Sequence, residues 1–530
     1  MTPRIFYTLL IAFVLMILTA CGTSTPRRDV ELSSDQRTEH GYAEGDYDSR
    51  EQFFRNAADR GLAEAEELSA GLDYYQPGLI LEILRSLESV PSSWLIAMTD
   101  LRNHDPEFTE WLELAVQIRS AAISGTSSSI AAGEWAKYHY GHLVSRNNFS
   151  ELVASYRALF PVPSQVAVLL PAEGRLSAAA KAIRDGIMSA YLDQPGDSVI
   201  RFYSSGHSSE SAIAAYQQAS DDGARQIIGP LHIDSTRAIT NLAELTTPVL
   251  LLNDKPPGME GDTERAGIVN SLSLATTEEA AAIAARTLAQ GQRDAIIMVP
   301  DSGWGKRIEA AFTAAFEQGG GRIIASTRFD TAVNDQSAML TQLLKIDASK
   351  QRKSDLQSWL GVALTFEPTR RYDFDFIFMA ANPVEGRELK PLLRFYDAGD
   401  VPVYAMGRIF SGRMESASNQ DLNGIVFPTT RRQLQAAGNT TATPESIAPA
   451  NPDLASVRGG AYGNLYALGQ DAWRLLPWLP LMRKDPDLWF PGEVGSLRLQ
   501  VDGSLYREPA WAQFSAGRPT AFQWQPVDGT

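Results

Sequence analysis

Two histidines of this 530-residue chain are spaced closely enough to suggest metal chemistry. His139 and His142 stand three residues apart in a stretch with helical periodicity, so they could share one helix face. A zinc site needs further ligands, and no His-Glu-x-x-His pattern or third ligand is evident in this stretch. We therefore expect the pair to pack between helices beside Tyr138 and Tyr140, and the sequence predicts no metal site.

Three other groups have residue types that active sites use, and each has a simpler structural explanation. Gly303-Trp304-Gly305-Lys306 opens a helix, where backbone N–H groups could meet an anion, but it lacks the spacing of a Walker loop. Glu278-Glu279 lies near a helix start, where carboxylates complement the macrodipole. Asp373 and Asp375 flank a strand entry. With neither a Gly-x-Ser-x-Gly elbow nor a Ser-x-x-Lys set, we predict no catalytic residue and no cofactor.

Cys21, the only cysteine, closes the run Leu18-Thr19-Ala20-Cys21-Gly22. One basic residue, Arg4, and an apolar stretch precede it, which is the pattern of a secretory signal peptide. The ending resembles a bacterial lipobox, in which the cysteine carries the lipid and begins the mature protein. We therefore predict a signal peptide at 1–20 and lipidation of Cys21. Gly22, in place of the aspartate that retains lipoproteins at the inner membrane, favours the outer membrane.

Composition restricts the classes of partner. Hydrophobic residues make up 44% of the chain and charged residues 21%, as in an ordinary globular protein. The formal net charge of −16 argues against nucleic-acid binding and against attraction to anionic headgroups. No long apolar run follows Cys21, so we expect the lipid alone to hold the protein at a membrane. Residues 21–47 are polar and are predicted to form a flexible tether.

Residues 48–162 have the apolar periodicity of amphipathic helices joined by short connections. This pattern predicts a helical domain, either a tetratricopeptide-like array or a simple bundle. After Pro161 and Pro163 short apolar strands alternate with helices, which is typical of parallel sheets covered on both faces. The predicted fold class is therefore α + α/β. We expect two lobes, lobe 1 at about 163–275 and 406–495 and lobe 2 at about 276–405 and 496–530. A disordered loop is expected at about 434–456, followed by one long helix at 462–481.

Polar residues at predicted strand ends could line a ligand cleft, because ligands of parallel sheets bind beyond the carboxyl ends of the strands. The candidates are Glu173, Ser204-Ser205, Asn253-Asp254 and Asn270-Ser271. Such a set could serve a solute receptor, and it could equally consist of loop residues without a ligand. The alternative function is accordingly a solute-binding lipoprotein of an ABC transporter for an amino-acid-like ligand.

The α/β part resembles a known family. Gln165-Val166-Ala167-Val168-Leu169-Leu170-Pro171, Ile227-Ile228-Gly229-Pro230-Leu231 and Asp301-Ser302-Gly303-Trp304-Gly305 resemble segments of type I periplasmic binding proteins. Within that superfamily the chain is most similar to the penicillin-binding-protein activator lipoproteins, the LpoA family. The similarity rests on Tyr372-Asp373-Phe374-Asp375-Phe376, Leu389-Lys390-Pro391-Leu392-Leu393, Asp421-Leu422-Asn423-Gly424-Ile425, Leu465–Trp473 and Arg507-Glu508-Pro509-Ala510-Trp511.

The resemblance implies a helical TPR-like domain at 48–162 and a two-lobed type I periplasmic-binding-protein-like domain at 163–530. It implies a non-enzymatic lipoprotein that is anchored in the outer membrane, faces the periplasm, and stimulates the transpeptidase activity of a class A penicillin-binding protein. No small-molecule ligand is expected, and the partner-facing residues stay unknown. The helical part is shorter than is usual for the family.

Overall fold

The computed structural model describes residues 44–100, 106–124, 128–193, 198–256, 259, 265–333, 335–436 and 462–524. The chain divides into two compact units, Met1–Arg55 and Asn56–Thr530. Of the first unit only residues 44–55 are described, as the start of a helix. The predicted signal peptide, Cys21 and most of the predicted tether lie outside the described residues. All the packing that follows belongs to the second unit.

Helices form the N-terminal part of the chain. Apolar residues every three to four positions, such as Ile80, Ile83, Leu84 and Leu87, give each helix a buried face. The helix Pro77–Ser86 contacts the helix Arg146–Ala158, so the group forms a bundle. The tetratricopeptide assignment stays a prediction. The helices are α1 Glu44–Ala70, α2 Pro77–Ser86, α3 Ser92–Asp100, α4 Pro106–Ser124, α5 Ser128–Ala136 and α6 Arg146–Ala158.

The first α/β lobe contains a five-stranded parallel sheet in the order β2-β1-β3-β4-β5. Side chains alternate across β1: Val166 and Val168 face one core, and Ala167 and Leu169 face another. The sheet is therefore covered on both faces. Its elements are β1 Gln165–Leu170, α7 Ser177–Asp193, β2 Val199–Ser204, α8 Ser209–Asp221, β3 Gln226–Ile228, α9 Ile233–Thr240, β4 Val249–Leu251 and β5 Val269–Ser271.

The second lobe contains a seven-stranded mixed sheet in the order β15-β14-β10-β9-β8-β6-β7. Only β14 and β15, at one edge, run antiparallel to their neighbours. Ile296 and Met298 of β6 face one core, and Ile297 and Val299 face the other. The elements are α10 Thr276–Ala289, β6 Asp294–Pro300, α11 Gly303–Gln318, β7 Arg322–Phe329, α12 Ser337–Leu343, α13 Ile346–Leu360, β8 Phe376–Met379, α14 Pro383–Phe395, β9 Val403–Ala405, β10 Val426–Thr429 and α15 Arg431–Ala436, followed later by β14 Ala510–Ser515 and β15 Arg518–Ala521.

A late segment returns to the first lobe before the chain completes the second sheet. It comprises α16 Gly463–Arg474, α17 Leu479–Lys484, β11 Trp489–Pro491, β12 Ser496–Leu499 and β13 Leu505–Glu508. The three strands form a small antiparallel sheet, and α16 packs along α7. Leu468, Leu481 and Leu497 of this segment share one core with Ile83 of the helical part. The helical part and the first lobe are therefore built around a common core.

The structure corrects the predicted lobe boundaries. Strand β10 lies between β9 and β14 in the second sheet, so the part of 406–495 up to α15 belongs to lobe 2. Strands β12 and β13, which we had placed in lobe 2, join the segment on lobe 1. Sequence order could not reveal these assignments, because the chain crosses between the lobes more than once.

Two further predictions differ from the structure. A single helix was expected at 462–481, but α16 ends at Arg474 and α17 begins at Leu479, because Pro477 and Pro480 interrupt the helical hydrogen bonds. The loop expected at 434–456 begins as the end of α15, and residues 437–461 lie outside the described part of the chain. None of the described helices is long and apolar enough to cross a membrane.

Candidate functional site

The histidine pair of the helical part lies in an aromatic cluster. The ring of His139 stacks on Trp135 at 3.6 Å between centroids, and its Nε2 lies 2.5 Å from the Glu113 carboxylate. His142 meets Trp111 edge to face at 4.6 Å and accepts the backbone N–H of Val144. Burial and the nearby His139 lower the pKa of His142 to about 4. The two imidazoles thus serve helix packing.

The strand ends of the first lobe open into a cleft of about 680 Å³. Apolar side chains make much of its wall, and three basic residues and one amide supply its polar groups. The basic residues and the amide are Arg175, His207, His232 and Asn253, and the apolar residues include Leu176, Leu231, Ile233 and Leu465. This is the position at which parallel α/β sheets bind ligands.

The predicted strand-end candidates divide between this cleft and the framework of the lobe. Asn253 lines the cleft and donates from Nδ2 to the carbonyl of Leu231 at 2.9 Å. Glu173 is exposed and does not line the cleft, and Ser205 is fully buried. Asn270 donates to the carbonyl of Gly503 and accepts from Arg483. Ser271 joins the same connection through its backbone, so this last pair holds β5 to the late segment.

Three basic residues of the cleft were missed at the sequence level. Arg175 and His207 follow β1 and β2 after short loops, and His232 accepts the backbone N–H of Asp234 as the cap of α9. The signal that could have found them is a basic side chain placed shortly after each strand. None of the described residues lining this cleft carries a carboxylate. Recognition of a free amino acid would call for an acid opposite its ammonium group, and this wall does not supply one.

Of the acidic pair at the start of α10, Glu279 is half-buried and Glu278 is exposed. Glu279 accepts the backbone N–H of Gly407, and burial raises the pKa of its carboxyl. Water can reach Glu278, yet the surrounding protein and the negative charge of Asp254 raise its pKa to about 7. Arg507 offsets part of both shifts. The pair therefore does more than complement the helix dipole, since Glu279 fastens α10 to the loop after β9.

The remaining candidates also have structural partners. Asp375 accepts the backbone N–H groups of Arg293 and Asp294. Asp373 pairs with Arg371 at 2.6 Å, and this bond lowers the pKa of the carboxyl to about 2. Ser302 caps α11, which begins at Gly303, and its hydroxyl accepts the backbone N–H of Gly305. In the described part of the chain, no group of three metal-ligating side chains comes together.

Two lobes with wholly or largely parallel sheets, a ligand-type cleft at the strand ends and crossovers between the lobes define a type I periplasmic-binding-protein-like fold, here joined to a helical domain. Among solved structures, LpoA from Haemophilus influenzae superposes with a TM-score of 0.54 at 18% identity, over 84% of this chain and 77% of that one. The C-domain of that protein, described as a regulator of PBP1A, superposes with a TM-score of 0.50 at 19% identity, over 68% of this chain and all of that one. The predicted fold class is confirmed.

The profile of the LppC lipoprotein family matches residues 78–517, so this chain belongs to that family. The penicillin-binding protein activator LpoA of Photobacterium profundum is 25% identical over 82% of this chain and 69% of its own length. That of Vibrio antiquarius is 24% identical over 77% of this chain and 66% of its own length. The resemblance to the LpoA family is confirmed, and the matches span about two thirds of these relatives.

Proposed function

We propose that this lipoprotein binds and activates a penicillin-binding protein and thereby stimulates peptidoglycan transpeptidation during cell-wall synthesis. The observation that carries the proposal is the family match, which runs through the helical part and both lobes. The relatives that bear the activator name are similar over more than three quarters of the chain. A similarity confined to the α/β lobes would have indicated a shared fold without indicating a shared function.

We further assign a class A synthase as the partner and no reaction to this chain itself. The described candidates for chemistry support the second assignment. Asp375 and Glu279 bond backbone N–H groups, and His139 and His142 pack on tryptophans. These bonds occupy the side chains that acid–base or metal chemistry would have used.

The third part of the proposal is location at the outer membrane, through lipid on Cys21, with the protein facing the periplasm. Membership of a lipoprotein family supports the anchor, and Gly22 after the cysteine supports the choice of membrane. The predicted tether at 21–47 is shortened by α1, which begins at Glu44; as a flexible coil, residues 21–43 would span about 24–29 Å. The tether would let the folded unit approach a synthase of the inner membrane.

Reconstitution tests the activator function. The mature protein without lipid is added to a purified class A penicillin-binding protein that polymerises its lipid-linked precursor, and crosslinked stem peptides are quantified. We expect a larger crosslinked fraction, and penicillin should abolish the increase because it blocks the synthase. Crosslinks that persist under penicillin would identify this chain as an enzyme, and an unchanged fraction would contradict activation.

The solute-receptor alternative makes a different prediction. Saturable heat of binding for a free amino acid in calorimetry would support it. The described residues of the cleft wall include Arg175 and two histidines and no carboxylate. We therefore expect no binding heat for a free amino acid.

A further inference from the structure

The fully buried side chains of helix α13 all lie near its start. Ile346 and Ser349 are buried, and the Ser349 hydroxyl accepts the backbone N–H of Thr369 at 3.2 Å. After Ser349 no described side chain of the helix is buried. Gly361 ends the helix in the left-handed conformation, with φ +67°, and its N–H donates to the carbonyl of Gln357. The C-terminal half is therefore a defined helix that the lobe covers only partly, at the half-buried Lys353 and Gln357, while its other face is exposed.

This partly covered half carries an apolar stripe. Leu356, Trp359 and Leu360 follow the i, i+3, i+4 spacing that places side chains on one helix face. Trp359 is 88% exposed, and Leu356 and Leu360 are 49% and 54% exposed. Val362, just beyond the helix, is 56% exposed. Single exposed apolar residues are ordinary, but a contiguous group with a tryptophan at its centre is typical of an interaction surface.

The charges of α13 indicate which kind of partner surface the stripe would bind. Lys350 and Arg352 are exposed, and neither has an ion-pair partner among the described residues. The two acids of the helix are engaged locally, Asp347 with the Thr341 hydroxyl and Asp355 with the Gln351 amide. Arg352 lies one turn before Leu356 on the stripe's face, and residues 350–360 carry three cations (Lys350, Arg352 and Lys353) against one acid, Asp355, so this half of the helix is net positive in a chain of net charge −16. The complementary surface is an apolar pocket with an acidic rim.

Two other occupants fit less well. A second copy of this chain also carries −16, and like net charge keeps copies apart. A membrane surface is bound by helices with a long apolar face and many cations, whereas this stripe has three residues on the helix. Charge complementarity therefore favours a protein partner.

We propose that the stripe Leu356, Trp359 and Leu360, with Arg352 one turn before it on the same face and Lys350 exposed on an earlier turn, is the docking surface for the penicillin-binding protein, seated in an apolar pocket with an acidic rim on that partner. The assignment rests on the proposed function and names the surface that performs it. Trp359 supplies the buried contact area, and the two cations speed the encounter and orient the helix.

The test compares full mature variants for binding to a class A penicillin-binding protein and for stimulation of crosslinking. Trp359→Ser should raise the dissociation constant of the complex roughly 30-fold and remove most of the stimulation of crosslinking. The double variant Leu356→Ser with Leu360→Ser should act likewise. Tyr140→Ser is the matched control, because Tyr140 is a 91% exposed aromatic residue of the helical part. All variants should keep the melting temperature of the parent, since the substituted side chains are exposed.

The outcomes separate this inference from the function on which it rests. A parent protein that does not bind the synthase contradicts the proposed function. A parent that binds, with Trp359→Ser binding equally well, overturns only the docking surface. Lys350→Glu with Arg352→Glu should lower affinity at low salt and less at high salt. Parent dimers, or binding to phosphatidylglycerol vesicles, that Trp359→Ser abolishes would overturn the proposal in favour of a second copy or a lipid surface.

Discussion

Arg119 and Asp485 form a buried ion pair between the helical part and the late segment of the chain, with Arg119 Nη1 2.7 Å from Asp485 Oδ2. Their side chains are only 3% and 0% exposed. Arg119, on α4, also donates to the carbonyl oxygens of Leu87 and Val90, and Asp485 accepts the N–H and hydroxyl of Ser92. Since every partner is fixed by folded backbone, the pair ties the helical domain to lobe 1 in one orientation.

Breaking this pair should destabilise the whole folded unit. Asp485→Ala leaves the Arg119 guanidinium buried without its counter-charge, and we expect the free energy of unfolding to fall by about 3–5 kcal/mol. Urea denaturation measures the change. Arg237→Ala, which removes a half-exposed pair with Asp234, is the control and should cause little change.

The double variant Arg119→Met with Asp485→Leu distinguishes a buried charge from lost packing. Replacing both charges with apolar groups removes the unpaired ion, so its loss of stability should be smaller than the sum of the single losses. Additive losses would show that the pair acts only through its separate hydrogen bonds.

Two glycines set the close crossing of α7 and α16. A Cβ at Gly186 would lie 2.0 Å from the carbonyl oxygen of Tyr466, and one at Gly469 would lie 2.1 Å from that of Ile183. Gly186→Ala should therefore force the helices apart, and overpacking should outweigh the gain in helix propensity by about 2 kcal/mol or more. Gly78→Ala, where no atom lies within 4 Å of the added carbon, should be neutral or slightly stabilising in the same thermal melts.

His142 should make stability depend on mildly acidic pH. Its folded pKa of about 4 lies below the ordinary value of 6.5. Between pH 6.5 and pH 4 the imidazole is therefore protonated in the unfolded chain and neutral in the folded chain. Stability from this group is complete above pH 6.5 and is lost as pH falls toward 4. His142→Gln should reduce the loss of unfolding free energy between pH 6.5 and pH 4. We expect a reduction on the order of 1–2 kcal/mol, since the ring is partly accessible to water and its shift is therefore partly screened.

Denaturation curves of the parent and the His142→Gln variant at pH 7.5, 5.5 and 4.5 provide the comparison. His207→Gln, a replacement of an exposed histidine, is the control and should follow the parent curve. Parallel curves for the His142 variant and the parent would contradict the assignment of a neutral, packed imidazole.

Cys21→Ser should release the protein from the membrane without unfolding it. The cysteine sulfur is the proposed lipid attachment point, and the second compact unit, which contains both sheets, begins at Asn56. We expect the variant to leave the outer-membrane fraction of a sucrose gradient and to keep its melting temperature. Asp in place of Gly22 should instead move the lipidated protein to the inner-membrane fraction, and unchanged fractionation of both variants would contradict the anchor.

The sequence predicted the periodic elements well, because burial on one face imposes a local pattern. The continuous apolar run at β1 and the stripe of α2 are such patterns, and both elements have the expected type. The prolines that divide α16 from α17 were also visible, but their effect was underestimated. Arg175, His207 and His232 were missed, because a basic residue shortly after a strand is a weak local signal and only the folded sheet brings the three loops to one cleft.

Local patterns in the sequence were sufficient to determine the α + α/β class, the family and the candidate lipid site, because apolar spacing and short motifs act over a few neighbouring residues. Which strands belong to which lobe, and which charges are buried together, was decided only by the tertiary structure. Arg119 and Asp485 are far apart in the chain, and nothing local marks either as the partner of the other. Their pairing depends on a core that only the folded chain assembles, and the exposed stripe on α13 likewise becomes visible only once the rest of lobe 2 is buried.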